Sequence, residues 1–302
     1  MKAFVGVTDN EWFRFLSLRS PDDVDEVNFW QPGPHGFKAL RPGEPFLFKL
    51  HYPEHSIAGG GFFAGYSKLP CGLAWEAFGL KNGTENLGEM LTRIEHYRHE
   101  QASVDTEIGC VLLEQPFFFP RDEWIPAPRD WAKNIVSGKT YDLAVNRDLW
   151  EAVQSRLLAL SPEAAEADER DLFTEGWVRQ RLGQGSFRAL VTQTYKRRCA
   201  ITREKILPVL QAAHIRPVAE GGRHRVDNGI LMRSDVHTLF DRGYLTVAPD
   251  YRLRVSRDLR NDFQNGDYYY EMSGSEIWIP LRTGDRPSQE FLEWHGDTVY
   301  RG

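Results

Sequence analysis

The stretch AAHIRPVAEGGRHRVDNGILMRSDVHTLFDRG, Ala212–Gly243, decides the fold of the second half of this chain. Apolar residues over Val209–Ile215, and again over Asn228–Met232, make two short runs suited to strands. Between them lies Ala219–Val226, where the Gly221-Gly222 pair marks a loop. Ser234-Asp235 are good helix-starting types, and the helix they begin carries His237 through Asp241, with Gly243 to end it. The expected order is strand, loop, strand, helix.

His214, Asn228 and His237 fall at telling intervals along that pattern, with Asp241 four residues beyond the last. Spacing of i, i+4 puts His237 and Asp241 on one helix face. There an imidazole and a carboxylate clasp one divalent ion and leave its other positions to phosphate and water. His214, on the facing strand, suits a general base acting on water, and Asn228 suits a support that orients the imidazole. A lone His in a strand is most often plain structure, and Gly243 alone is a helix cap. The three residues together with these flanks are much harder to obtain in an unrelated fold.

The segment resembles the HNH endonuclease family, built on the ββα-metal fold. The words that carry the resemblance are RCAIT (Arg198–Thr202), AAHIRP (Ala212–Pro217), DNGILM (Asp227–Met232) and HTLFDRG (His237–Gly243), within about 120 residues that run from RLGQGSFR (Arg181–Arg188) to the Pro280–His295 tail. The resemblance implies cleavage of double-stranded DNA with His214 as base, Asn228 as the middle residue and His237 as a metal ligand for Mg²⁺ or Mn²⁺. Ala213 stands where many members place a ligand, and Asp241 is assigned from helical geometry to supply the missing carboxylate. Arg203 follows CAIT where a Gly often stands, and the lone Cys199 leaves no four-Cys zinc clip. His224, in GGRHRVD, suits a solvated or phosphate-touching place rather than a ligand's.

Charge is distributed to match. The 302 residues carry a net charge of −6, yet Arg179–Arg260 holds 17 Lys/Arg against 7 Asp/Glu, a balance of +10 that leaves −16 elsewhere. Binding to phosphates needs only a local positive surface, and Arg197, Arg198, Arg216, Arg223 and Arg225 are the candidates for the DNA backbone. Three widely spaced cysteines, no long apolar run and no secretory N-terminal pattern in MKAFVGVTDNEW point to a cytoplasmic protein.

The first third is rich in strand-like runs: Lys2–Thr8, Pro45–Leu50, Gly59–Tyr66 and Ile108–Phe119. Helices are expected over Glu11–Leu18, capped by Asp9-Asn10, and over Asn86–Tyr97. Arg147 to about Leu182 reads as a helical connection with a turn at Ser161-Pro162 and an acidic face at Glu163–Asp171. The expected domains are therefore 1–145, a linker at 146–182, and 183–302. In the first of them, Asn28-Phe29-Trp30-Gln31 reads as part of a Pro/Gly-bounded loop, NFWQPGPHG. Loop aromatics beside amides suit a pocket that stacks on an extruded base and reads its polar edge.

The run from VGVTDNEW through FWQPGPHGFKALRPGEPFLFKL to SIAGGGFFAGYSKL is similar in layout to the EVE-like members of the PUA superfamily, small β-barrels that hold modified bases. That resemblance implies base stacking on Trp30, with Trp12, Asn28, Gln31 and Trp75 around it. The whole is then an α+β protein: a PUA-like barrel with flanking helices, a helical linker and a ββα-metal nuclease. The pairing resembles modification-dependent restriction enzymes, which cut DNA carrying 5-methyl- or 5-hydroxymethylcytosine, and two-strand cutting makes a homodimer an expected form. The competing readings are a nuclease that is nonspecific or directed by RNA or DNA structure, and a modified-DNA binder without catalysis.

Overall fold

A computed structural model describes residues 1–20, 23–160 and 183–302. The expected turn at 161–162, the acidic face at 163–171 and the rest of the linker to 182 lie outside the described residues. The chain divides into two compact units, Met1–Ser186 and Phe187–Gly302. Among the described residues, no helix is long and apolar enough to cross a membrane.

Unit 1 is built on a seven-stranded sheet in the order β2-β5-β4-β3-β1-β7, with β6 (Ile125–Pro126) paired to β4. The strands are β1 (Lys2–Thr8), β2 (Glu26–Gln31), β3 (Pro45–Leu50), β4 (Ser56–Pro70), β5 (Glu107–Phe118) and β7 (Gly138–Asp142). Only β1 and β3 run parallel, and the other ladders are antiparallel. No ladder among the described residues joins β2 to β7, so the sheet is open and the expected closed barrel is not formed. The long β4 and β5 pair from Gly59 opposite Phe118 to Pro70 opposite Glu107, with two register shifts that interrupt the ladder.

Helix α1 (Asn10–Ser17) starts where expected, because the Asp9 carboxylate accepts the Trp12 N–H at 2.8 Å. Helix α2 (Cys71–Phe78) follows β4 directly. Helix α3 (Leu87–Arg98) is capped in the same way by Asn86, which accepts the Glu89 N–H at 3.0 Å. Helix α4 (Arg147–Leu160) begins the expected linker. Its fully buried Val153 joins Ala3, Val5, Leu47, Ile57 and Tyr141 in the apolar core on one sheet face.

One expectation about this unit is corrected. Asn28-Phe29-Trp30-Gln31 is not a loop but most of β2, paired with β5 from Glu26 opposite Glu114 to Gln31 opposite Gly109. The run EVNFWQ is rich in residues that fit a pleated sheet, and the Pro/Gly punctuation begins only at Pro32.

Unit 2 begins at Phe187, within α5 (Gln184–Thr194). It contains the hairpin of β8 (Leu210–His214) and β9 (Gly229–Arg233), in register from Leu210 opposite Arg233 to His214 opposite Gly229. Helix α6 (Ser234–Asp241) follows without a gap. Its end is set by Gly243, at φ +76, where a Cβ would lie 2.0 Å from the Val299 carbonyl oxygen. Strand, loop, strand and helix thus follow in the expected order.

Candidate functional site

The end of β8 presents His214. Its ring lies flat on Phe187, with centroids 3.9 Å apart and planes 11° from parallel. Its Nε2 is 3.0 Å from Nδ1 of His224, so one ring donates and the other accepts. Burial lowers the His214 pKa to about 4, and the neighbouring His224 and His237 rings push in the same direction. The imidazole is therefore neutral at pH 7, as a proton acceptor must be.

On α6, His237 and Asp241 do share one face: Nε2 lies 3.2 Å from Oδ2. The other ring nitrogen, Nδ1, is 2.7 Å from Oε1 of Gln211 on β8. An amide oxygen accepts there, so Nδ1 carries the hydrogen and Nε2 is the nitrogen that faces Asp241. Partial desolvation raises the Asp241 pKa, while His237 opposes the rise.

This pair fits a divalent ion. Two donors held cis on one ion with bonds of about 2.1 Å lie about 3 Å apart, close to the observed separation. An imidazole nitrogen and a carboxylate oxygen also suit Mg²⁺, Mn²⁺ or a later transition metal. Among the described residues, no cluster of three or more His, Cys, Asp or Glu side chains is arranged as a metal site. Ala213 is fully buried opposite Ile230 and adds no donor.

Asn228 departs from its expected use. Its Nδ2 donates to the carbonyls of Arg216 and Arg223, each at 2.9 Å, and its Oδ1 accepts the Arg216 N–H at 2.9 Å. The amide is spent on the backbone of the 216–223 loop rather than on the His214 ring. Burial demands this: a fully enclosed amide must satisfy both of its ends. Gly222 permits the closure, since a Cβ there would lie 1.9 Å from the Arg216 carbonyl oxygen.

The five candidate backbone-binding arginines differ in freedom. Arg198 and Arg223 are exposed and form no ion pair among the described residues. Arg225 is paired with Asp227 at 2.9 Å, so part of its charge is already answered. Arg216 donates to the Glu220 carbonyl at 2.6 Å and lies over the Trp294 ring, 5.3 Å from its centroid. Arg197 is half-buried in the turn after α5.

In unit 1, an aromatic cavity of about 590 Å³ has Trp12, Phe29, Trp30, Phe37 and Tyr97 among its lining. Trp12 and Trp30 are nearly buried, and Trp30 is fixed by Nε1 donating to the Asn82 carbonyl at 2.9 Å. Gln31 lines the same cavity, and its buried Oε1 has no hydrogen-bond partner. Asp9 contributes a carboxylate that accepts from the Tyr97 hydroxyl.

Two of the expected pocket residues lie elsewhere. Asn28 is fully buried and does not line the cavity, donating to Asn82 Oδ1 at 2.9 Å and to Cys110 Sγ at 3.4 Å. Trp75 sits on α2 and does not line the cavity. Sequence reasoning missed Asn82, whose side chain also donates to the carbonyls of Ala74 and Gly79 and so ties α2 to β2. It missed Tyr97, Asp9 and His51 in the cavity wall as well, and Phe187 and Gln211 beside the two histidines. Nothing local marks these residues, because only the three-dimensional packing brings them to the sites.

Residues 199–248 match the HNH endonuclease family, and the chain carries an HNH endonuclease domain there. No curated protein matches the sequence. Among solved structures, the chain is similar to an ASCH protein from Zymomonas mobilis, at 10% identity and a TM-score of 0.36, over 49% of this chain and 94% of that one. It is also similar to the modification-dependent TagI restriction endonuclease, at 12% identity and a TM-score of 0.29, over 92% of this chain and 76% of that one.

Proposed function

We propose that the chain is a modification-dependent restriction endonuclease of the cytoplasm. Residues 1–145 flip and inspect a modified cytosine in double-stranded DNA, 146–182 connect, and 183–302 hydrolyse a nearby phosphodiester bond. The observation that carries the reading is a neutral, stacked His214 beside the His237–Asp241 pair, within a chain that also holds an aromatic cavity with an unanswered amide oxygen.

His214 takes the proton from the attacking water, and its contact with His224 limits the ring to one orientation. Asn228 acts one step away, by holding the loop from which His224 and Arg223 project. His237 and Asp241 are the residues that would hold a divalent ion, Mg²⁺ or Mn²⁺, and such an ion would supply positive charge to the phosphate and the leaving 3′ oxygen. Arg198 and Arg223, both exposed, engage backbone phosphates. In the cavity, Trp30 and Trp12 provide the ring faces and Gln31 the polar contact to a base edge. Cutting both strands with one site per chain calls for two copies on the DNA, hence a homodimer.

The test is digestion of matched plasmids containing cytosine, 5-methylcytosine or 5-hydroxymethylcytosine, with Mg²⁺ or Mn²⁺. Cleavage confined to the modified plasmids is expected, and loss of cleavage in His214→Ala. Equal cutting of all three would overturn the targeting half. Binding without cutting, in wild type and variant alike, would overturn the nuclease half.

A further inference from the structure

A neutral imidazole carries one hydrogen, on Nδ1 or on Nε2, and offers a lone pair from the other nitrogen. In His214 the nitrogen engaged by the protein is Nε2, 3.0 Å from His224 Nδ1. The two rings meet at 63° with centroids 4.9 Å apart, so they are joined through their edges rather than stacked. Among the described residues, His214 Nδ1 has no hydrogen-bond partner and is not an enclosed atom. For His214 to act as a base where it stands, the lone pair that meets water is that of Nδ1. The hydrogen then sits on Nε2, and His224 Nδ1 accepts it.

His224 matters once a proton arrives. His214 becomes an imidazolium, and its surroundings oppose that charge. The ring lies flat on Phe187, and burial together with the His224 and His237 rings, the two titratable groups that act on it, lowers its pKa to about 4. A cation in such a place needs a partner that accepts its hydrogen bond and takes up part of the charge. Among the described residues no carboxylate bonds to His214, and the group in that position is the second imidazole.

We propose that His214 and His224 form a proton relay: His214 Nδ1 takes a proton from the attacking water while His214 Nε2 passes its own to His224 Nδ1. The water oxygen bonds to phosphorus as the bond to the 3′ oxygen breaks. The leaving oxygen takes a proton from solvent and His224 returns one to solvent, so protons balance and nothing is oxidised or reduced. His224 is thus a positioning residue that acts through His214, on a loop where its neighbours Arg223 and Arg225 are exposed. Orienting the base is only part of its use. The inference rests on the nuclease reading above and adds a second ring to it.

The direct test needs neither metal nor DNA. Long-range proton–nitrogen correlation spectra of the full chain, labelled at its histidine nitrogens, report which nitrogen of each ring is protonated, and His214→Ala and His224→Ala assign the signals. His214 is expected to carry its hydrogen on Nε2, with His224 bare at Nδ1. A hydrogen on His214 Nδ1 overturns the relay. The second arm is single-turnover cutting of a plasmid that wild type cleaves. His224→Ala cuts at least about ten-fold more slowly, with its DNA affinity and melting transition kept. Free imidazole restores most of that loss and leaves wild type and His214→Ala unchanged. His224→Asn, whose amide oxygen accepts the Nε2 hydrogen but holds no proton, stays slow. A wild-type rate in His224→Asn, or no response of His224→Ala to imidazole, overturns the relay and leaves His214 as the base. Failure of wild type to cut any plasmid overturns the nuclease reading instead.

Discussion

Replacing Asn228 by alanine separates a loop clamp from a group that acts on the reaction. The amide makes three bonds to main chain, and each contributes about 1 kcal/mol net. Its loss also strands main-chain groups of Arg216, which is only partly open to water, so the total cost is about 3–5 kcal/mol. A domain has about 5–15 kcal/mol of stability in all. For a unit the size of Phe187–Gly302 the melting transition then falls by roughly 10–20 °C. Scanning calorimetry of the full-length variant measures this directly. Cleavage by Asn228→Ala is weakened but measurable at low temperature, where the loop is still closed. Asn228→Asp does at least as badly, because a carboxylate accepts the Arg216 N–H but faces two carbonyl oxygens with no hydrogen to give. If Asn228→Ala melts within a degree or two of wild type and yet cannot cut at any temperature, the clamp reasoning fails and the amide must act on the reacting groups.

Three further outcomes are expected. His237→Ala and Asp241→Asn each raise the Mn²⁺ concentration needed for half-maximal cutting at least ten-fold, and chelation abolishes cutting in wild type; unchanged metal dependence in both variants would exclude the pair as ligands. Stability falls as the solution is acidified. His214 and His295 titrate near pH 4 in the folded chain and near 6.5 unfolded, so the unfolded chain binds more protons between those values and each histidine withdraws about 3 kcal/mol by pH 4; a melting temperature that is flat from pH 7 to 4.5 would contradict their burial as neutral rings. Arg198→Ala and Arg223→Ala each reduce the slope of log affinity against log salt by about 0.9, irrespective of base modification; an unchanged slope would remove that residue from the phosphate contacts.

The nuclease half was legible because its information is local. His214, Asn228 and His237 occur on consecutive elements of one hairpin and helix, and the i, i+4 spacing of His237 and Asp241 translates directly into a 3.2 Å contact. What escaped was the use of Asn228. Position alone places an amide near the hairpin, but whether it meets a side chain or the main chain depends on how the 216–223 loop folds back, and that is set by the close approach at Gly222. His224 and Phe187 escaped for a related reason. Both reach His214 from segments whose distance along the chain says nothing about contact.

The front half shows how residues that come together can be picked out from a wrong local element. Trp12, Trp30 and Gln31 do meet at one cavity, yet Trp30 and Gln31 stand on a strand rather than in a loop. The difference has a physical consequence. Successive residues of a strand face opposite sides, so Asn28 and Trp30 share a side and are both held by Asn82, one through its side chain and the other through its carbonyl. Asn82 therefore takes up the Asn28 amide nitrogen through its side chain, and through its carbonyl it fixes the Trp30 ring. An aromatic ring anchored in a hydrogen-bonded ladder keeps its orientation without a ligand, whereas one on a loop would be ordered only by binding and would lose affinity to that ordering. The rigid wall of this cavity thus comes from the same strand pairing that removes Asn28 from its lining, with Gln31, Asp9, Lys38, His51 and Tyr97 among the polar groups that remain there.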